Sequence, residues 1–305
     1  MKFLDVKTDY AFKKVFGSAQ SKAILIDFLN AIIDFPDARI TDLEIVDPYQ
    51  IPLIKGMKDS YVDVKAVLSN RTHVIIEMQV LNYEGFEKRV LYNAAKLYSN
   101  QLKAAEQYET LEPVVALTIT DFEMFEDIPR VISYWDVQEK EALIRYSGDL
   151  ELIFVELPKF TKTESELETI TDKWIYFIKN AGDLSYIPQT FREPPLLEAF
   201  GIANTAGMSE EELEAQNKRH DFINSIRKSQ EKALKDGLEQ GLQEGREQGL
   251  QEGREEGREE GLEEGKRQMV RKLLALQVPL ETIAQASGMS IEEIEGIRQS
   301  EAGKE

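Results

Sequence analysis

A chain of 305 residues with 42% hydrophobic and 30% charged residues has room for one well-packed domain of roughly 150 to 200 residues plus an appended segment, and it is not disordered throughout. The formal net charge of −19 argues against avid nucleic-acid binding, since phosphate affinity comes mostly from Lys and Arg; from Glu231 onward 18 acids face 11 bases, so most of the excess lies in the first 230 residues. The absence of cysteine excludes disulfides and thiolate metal sites, no uninterrupted apolar run has membrane length, and the start lacks a secretion signal, so the reading is a cytoplasmic protein without a membrane partner.

Thr8-Asp9 offers a helix cap, and Phe12, Val15 and Phe16 follow at helical spacing before Gly17, which predicts a short first helix. Ile24, Leu25, Phe28, Leu29 and Ile32 predict a second amphipathic helix over Ser21 to Ile33, with Pro36 marking its exit. The period then changes to that of strands at Ile40 to Val46, Tyr61 to Leu68 and Val74 to Val80, with Ser69-Asn70-Arg71 as the turn between the last two. A helix between Phe86 and Ala105 and a buried strand from Val114 to Ile119 follow, and the order strand, strand, helix, strand points to an α/β sheet. Val131 to Trp135 and Leu152 to Leu157 are further strand candidates; Ser165 to Lys179 fits a helix, with Ser165 and Glu168 at capping-box spacing.

Pro188, Pro194 and Pro195 punctuate the chain and place a boundary there, with a main domain over 1–195 and a helical linker over 196–236. From Gly237 to Gly265 every fourth residue is glycine, set among Glu, Gln, Arg and Leu. Each interior glycine costs a helix about 1 kcal/mol relative to alanine, so the repeat over 237–267 is expected to be marginally helical by itself. The glycines wind slowly around such a helix, which leaves two readings open: a homo-oligomer formed along the stripe, or a solvated spacer. Residues 268–300 hold two short amphipathic stretches, and the turn Gly288-Met289-Ser290 leads into Ile291 to Ile297, so this end resembles a small helix-turn-helix.

Polar residues interrupt two otherwise apolar strands at Tyr61-Val62-Asp63-Val64-Lys65 and Ile76-Glu77-Met78-Gln79. Strand alternation puts Glu77 and Gln79 on one face, and a short hairpin can bring Asp63 beside Glu77. Two such carboxylates repel unless a hard cation such as Mg²⁺ or Mn²⁺ offsets their charge and activates a water for attack on phosphorus; the plainer reading is an exposed hairpin whose acids face solvent. Arg89 and Tyr92 lie three apart on the following helix, where Arg89 could grip a phosphate, and Arg89, Lys96 and Lys103 form a basic stripe that is by default a solvated face. His73 and His220 make no zinc pattern, and neither a nucleophile elbow nor a phosphate loop is present, so nothing calls for an organic cofactor.

At these positions the chain resembles the recombination-promoting nuclease and transposase (Rpn) family of the PD-(D/E)XK nuclease superfamily. The likeness is carried by Lys7-Thr8-Asp9-Tyr10-Ala11-Phe12-Lys13-Lys14-Val15-Phe16-Gly17, by Lys58 through Lys65, by Ile76-Glu77-Met78-Gln79 and by Arg89-Val90-Leu91-Tyr92-Asn93-Ala94-Ala95-Lys96-Leu97-Tyr98, and it spans roughly residues 1 to 190. The resemblance implies a restriction-endonuclease-like mixed sheet flanked by helices, followed by an all-helical tail. It implies Asp63, Glu77 and the Met78 carbonyl as ligands of Mg²⁺ or Mn²⁺, with Gln79 in the slot where the superfamily usually has lysine, although the family's own pattern is similar to Glu-x-Gln, so the glutamine is not a peculiarity of this chain. A neutral Gln79 can orient a water but not stabilise an anion as lysine does. Asp9 matches an acidic position brought to such sites, or else only caps its helix; Lys65, two residues beyond Asp63, could supply a nearby charge. The implied activity is a divalent-metal-dependent DNA endonuclease linked to recombination or mobile elements, with Arg89, Tyr92, Lys65 and Lys96 touching DNA. The alternative is a weak or inactive relative that binds DNA or itself.

Overall fold

The computed structural model describes residues 1–35, 39–50, 60–103 and 105–302; Pro36 and the Lys58-Asp59 part of the motif segment lie outside them. Two compact units are present, Met1–Arg227 and Lys228–Glu305.

The first unit is built on a six-stranded mixed sheet. Helices α1 (Asp9–Phe16) and α2 (Lys22–Ile32) come first, followed by β1 (Leu43–Val46), a small ribbon of β2 (Tyr49–Gln50) and β3 (Ser60–Tyr61), then β4 (Val64–Leu68), β5 (His73–Gln79), α3 (Phe86–Ser99), β6 (Val114–Thr120), β7 (Ile132–Asp136) and β8 (Leu150–Glu156). The sheet order is β1-β4-β5-β6-β8-β7, with β5, β6 and β8 mutually parallel and the other neighbours antiparallel. Every residue of β6 is buried, as befits a central parallel strand covered on both faces.

Alternation along the strands divides the core into two layers. Val74, Ile76 and Met78 of β5, with Val64 and Ala66 of β4, face a large cluster filled by Phe12 and Phe16 of α1 and Ile24, Leu25 and Phe28 of α2. The same cluster takes in Trp174 and Phe177 of α4 (Ile170–Asn180) and Leu196 and Phe200 of α5 (Pro194–Ala203). On the opposite face Ile75, Val114 and Ala116 pack against Ala94 and Leu97 of α3, while Phe86 and Val90 meet Phe154. Helix α3 starts at Gly85, whose φ of +83° only glycine adopts without strain.

Two expectations shift. The capping box of α4 is Thr169 with Asp172, each side chain satisfying the other's backbone N–H at 3.0 Å, so the helix begins at Ile170, beyond the Ser165 and Glu168 spacing. The boundary at residue 195 cuts into α5, whose Leu196, Ala199, Phe200 and Ala203 are fully buried in the main core. The prolines there do not end the domain: Pro194 sits in the first turn of α5, where its missing N–H costs nothing.

Helix α6 runs unbroken over Glu210–Ala275, and its first turns, to Arg227, belong to this unit. The glycine repeat is helical throughout, despite its propensity cost. Between the glycines stand strong helix formers, and side-chain bonds at four-residue spacing recur, such as Gln240 to Glu244 at 3.0 Å and Gln243 to Glu247 at 3.1 Å. In the second unit the end of α6 packs with α7 (Leu280–Ser287) and α8 (Ile291–Ala302) around Val270, Ile283 and Ile294, and Gly288 turns between the last two helices at φ +71°. Among the described residues no helix is long and apolar enough to cross a membrane.

Candidate active site

The β4–β5 ladder ends at Val64 opposite Ile76, and one further step in the same register would set Asp63 opposite Glu77. Val62 and Val64 are both buried but in opposite layers, Val62 against α3 and Val64 in the large cluster. Residues two apart on a regular strand share a face, so the chain must twist at Asp63. That twist turns its side chain along the strand edge. The Asp63 backbone N–H donates to the Ile76 carbonyl at 3.1 Å, and Asp63 Oδ2 accepts the Met78 N–H at 2.7 Å. Because the N–H and C=O of a strand residue point the same way, the Met78 carbonyl faces this edge too. The edge lies at the carboxyl end of parallel β5 and β6, where sheets of this type open a crevice.

Two helices serve the two acids. Helix α1 brings Lys13 Nζ to 3.4 Å from Asp63 Oδ1 and 2.6 Å from Asp9 Oδ1, and Asp9 and Asp63 share a hydrogen bond. Burial pushes the Asp63 carboxyl up to about 7; the Met78 N–H and Lys13 oppose the rise, and Asp9 adds to it. Burial works on Asp9 in the same direction, but bonds to Lys13 and Asp63 outweigh it and leave Asp9 below its ordinary value. Arg219 of α6 approaches Asp9 at 3.7 Å.

Helix α3 serves Glu77, which is 7% exposed. Arg89 forms an ion pair with Glu77 Oε1 and donates to the Tyr83 hydroxyl at 2.6 Å, while Asn93 Nδ2 donates to Glu77 Oε2 at 3.5 Å. Burial still holds the Glu77 carboxyl above its ordinary value against Arg89 and Asn93. The two groups share one field: the charge of Lys13 acts on Glu77 as well as Asp63, and that of Asp63 acts on Arg89.

Other expected site residues are placed differently. Gln79 donates from its side-chain amide to the Leu81 carbonyl, 2.8 Å away, and its backbone carbonyl accepts the Asp121 N–H at 2.9 Å. Lys65 does not join Asp63: the carboxylate acting on it is Asp47, and burial lowers its pKa. The twist at Asp63 is the reason, because a same-face relation across residues 63 and 65 holds only in a straight strand. Lys96 is 5% exposed, with its Nζ 5.8 Å over the Tyr92 ring, so the basic stripe is not a solvated face at that position. Arg89 turns towards Glu77. Lys13 and Arg219 were missed; Lys13 lies four residues from Asp9 on one helix face, a legible spacing, whereas Arg219 has no local signal.

The donor chemistry fits a hard divalent cation, although among the described residues no three acid or histidine side chains converge on one cation position. Mg²⁺ keeps several waters and needs only one or two carboxylates. Burial and Asp9 favour the protonated form of Asp63, a proton that a cation can displace, and beside Glu77 the buried Asn93 Oδ1 lacks a hydrogen-bond partner.

Residues 6–231 match the family described as PD-(D/E)XK nuclease family transposase. The chain belongs to that family. The match takes in Asp9, Lys13, Asp63, Glu77, Gln79, Arg89 and Arg219 and ends within α6, ahead of the glycine repeat. The mixed sheet with helices on both faces agrees with the fold expected of a PD-(D/E)XK nuclease, and membership carries a nuclease or transposase-like role. No curated protein and no solved structure matches the chain.

Proposed function

We propose that the chain is a divalent-metal-dependent DNA endonuclease that hydrolyses phosphodiester bonds, with a part in DNA recombination or mobile-element activity. The observation that carries this reading is the Asp63 carboxyl, buried at the open carboxyl end of β5, raised to about 7 and in contact with Asp9 beside a buried Glu77. Desolvated acids of this kind gathered at one end of a sheet mark a site built for a positive partner.

Asp63, Glu77 and the Met78 carbonyl would hold Mg²⁺ or Mn²⁺, with Asp9 beside them. The ion supplies Lewis acidity and an activated water. The Met78 N–H fixes the Asp63 carboxylate, and Asn93 fixes that of Glu77, so both ligands are pre-positioned. Arg89, once released from Glu77, supplies a bidentate grip on a backbone phosphate, and Tyr92 flanks it. Gln79 orients the attacking water once its amide leaves Leu81.

The test is nicking of supercoiled DNA with Mg²⁺, with EDTA as control, by wild type, Asp63→Asn and Glu77→Gln. Metal-dependent nicking by wild type and its loss in both variants bears the reading out; equal nicking by all three removes these residues from the mechanism. A second reading, a weak or inactive relative acting as a DNA-binding or self-associating module, is favoured by Gln79 being bound to Leu81 and by the net charge of −19. It predicts DNA binding without cleavage in any divalent metal.

A further inference from the structure

Glutamine at position 79 leaves the carboxylates without the cation that a lysine there provides. Gln79 carries no charge, and its amide is bound to Leu81. The other nearby cations are placed differently: the carboxylate acting on Lys65 is Asp47, Arg89 is held between Glu77 and Tyr83, and Arg219 reaches Asp9 alone, at 3.7 Å. Lys13 is different. Its Nζ lies 3.4 Å from Asp63 and 2.6 Å from Asp9, and its charge reaches Glu77. The Lys13 side chain is 42% exposed while that of Asp63 is 12% exposed, so the lysine is the more accessible member of the pair. Phe12, Val15 and Phe16 are fully buried and fix the helix that presents it. Neighbouring Lys14 goes elsewhere, over the Tyr10 ring at 5.6 Å. A surface pair at four-residue spacing would account for the contact with Asp9 but not for the reach to buried Asp63.

We infer that Lys13 supplies from α1 the positive charge absent at Gln79 and contacts the scissile phosphate of a nucleic-acid strand. This role rests on the nuclease reading. In the hydrolysis, the oxygen of water bonds phosphorus while the bond from phosphorus to the sugar oxygen breaks. That oxygen keeps the electron pair and takes a proton from solvent, as the attacking water gives one up to solvent. Negative charge grows on the non-bridging oxygens, and the Lys13 ammonium donates hydrogen bonds to them without being consumed. In the resting protein the same ammonium lies against the Asp9–Asp63 pair and competes with a metal for it.

The experiment compares full-length wild type, Lys13→Met, Lys13→Arg and the double variant Lys13→Met/Gln79→Lys in Mg²⁺-dependent nicking and in calorimetric titration with Mn²⁺ alone, with melting curves to check folding. Lys13→Met is expected to lose on the order of 10²-fold in nicking rate, Lys13→Arg to keep most of it, and the double variant to regain at least about tenfold of the loss. Mn²⁺ is expected to bind Lys13→Met several-fold more tightly, because the competing ammonium is gone. Wild-type nicking rates in Lys13→Met, or Mn²⁺ affinity that is unchanged or weaker, overturn the assignment. Regained activity in the double variant cannot be produced by misfolding. Absence of nicking by wild type defeats the nuclease reading instead, and the Mn²⁺ arm still decides whether Lys13 occupies the cation position.

Discussion

Asp63 and Glu77 fall opposite each other one step beyond the β4–β5 ladder, yet they are attached to different layers of the protein. Asp63 is tied to α1 through Lys13 and Asp9, and Glu77 to α3 through Arg89 and Asn93. Asp63 has a backbone N–H and an ammonium around it, and its carboxyl still rises to about 7 through burial and Asp9. Glu77 has a guanidinium in direct contact and is 7% exposed. A site divided in this way is assembled only when both helical layers pack on the sheet, so the proposed activity would depend on the integrity of the whole first unit.

The sharpest way to break the comparison is by activity. Asp63→Asn and Glu77→Gln should each lower metal-dependent nicking by on the order of 10²- to 10³-fold, and the double variant should fall little further, because groups acting as one unit are not additive. Losses that multiply in the double variant would show two independent sites.

Stability should separate the same two residues. Glu77→Gln leaves Arg89 facing a neutral partner but also removes a charge that burial disfavours, so the two effects oppose and the net change in a denaturant titration should lie between neutral and a cost of about 1 kcal/mol. Asp63→Asn keeps an oxygen for the Met78 N–H and removes a charge that burial disfavours, so it should be neutral or stabilising by up to about 1 kcal/mol.

A pH series sharpens this further. Since Asp63 titrates higher in the folded chain than in the unfolded one, the folded state retains a proton between the ordinary carboxyl range and about 7. Stability is then fullest at the acid end of that window and is lost as the pH rises through it, by on the order of 4 kcal/mol, whereas the downward shift of Asp9 acts only below the window. Melting of metal-free wild type against Asp63→Asn should show the decline in wild type alone. A parallel course for both variants would place the proton elsewhere.

The smallest effect belongs to the second unit. No heavy atom lies within 4 Å of a Cβ added at Gly249, so Gly249→Ala should stabilise α6 by about 0.5 to 1 kcal/mol, read by helix melting, with nicking unchanged. Weaker self-association in sedimentation would instead show that a second helix packs along the glycines.

Much of this was legible in the sequence because it follows local rules. The periods of α1 and α2, the hairpin around Asn70 and the apolar run of β6 fixed the layers, and the spacing of Glu77 and Gln79 marked the interrupted strand. What escaped is non-local. The twist at Asp63 arises because Val62 and Val64 are drawn into opposite layers, which no alternation rule foresees, and it separates Lys65 from Asp63. Burial of Lys96 depends on the packing of α3, and Arg219 arrives at Asp9 from a helix far along the chain. The glycine repeat takes the helical form expected of it, and the bonds between its glutamines and glutamates, at about a few tenths of a kcal/mol each, recover only part of the propensity cost of its glycines.

The claim that Asp63 and Glu77 serve one cation from two layers is tested most directly by calorimetric titration of Mn²⁺ into wild type, Asp63→Asn and Glu77→Gln. The account predicts a binding event in wild type that is lost or weakened at least about tenfold in both variants. Mn²⁺ binding in Glu77→Gln equal to that of wild type would contradict it.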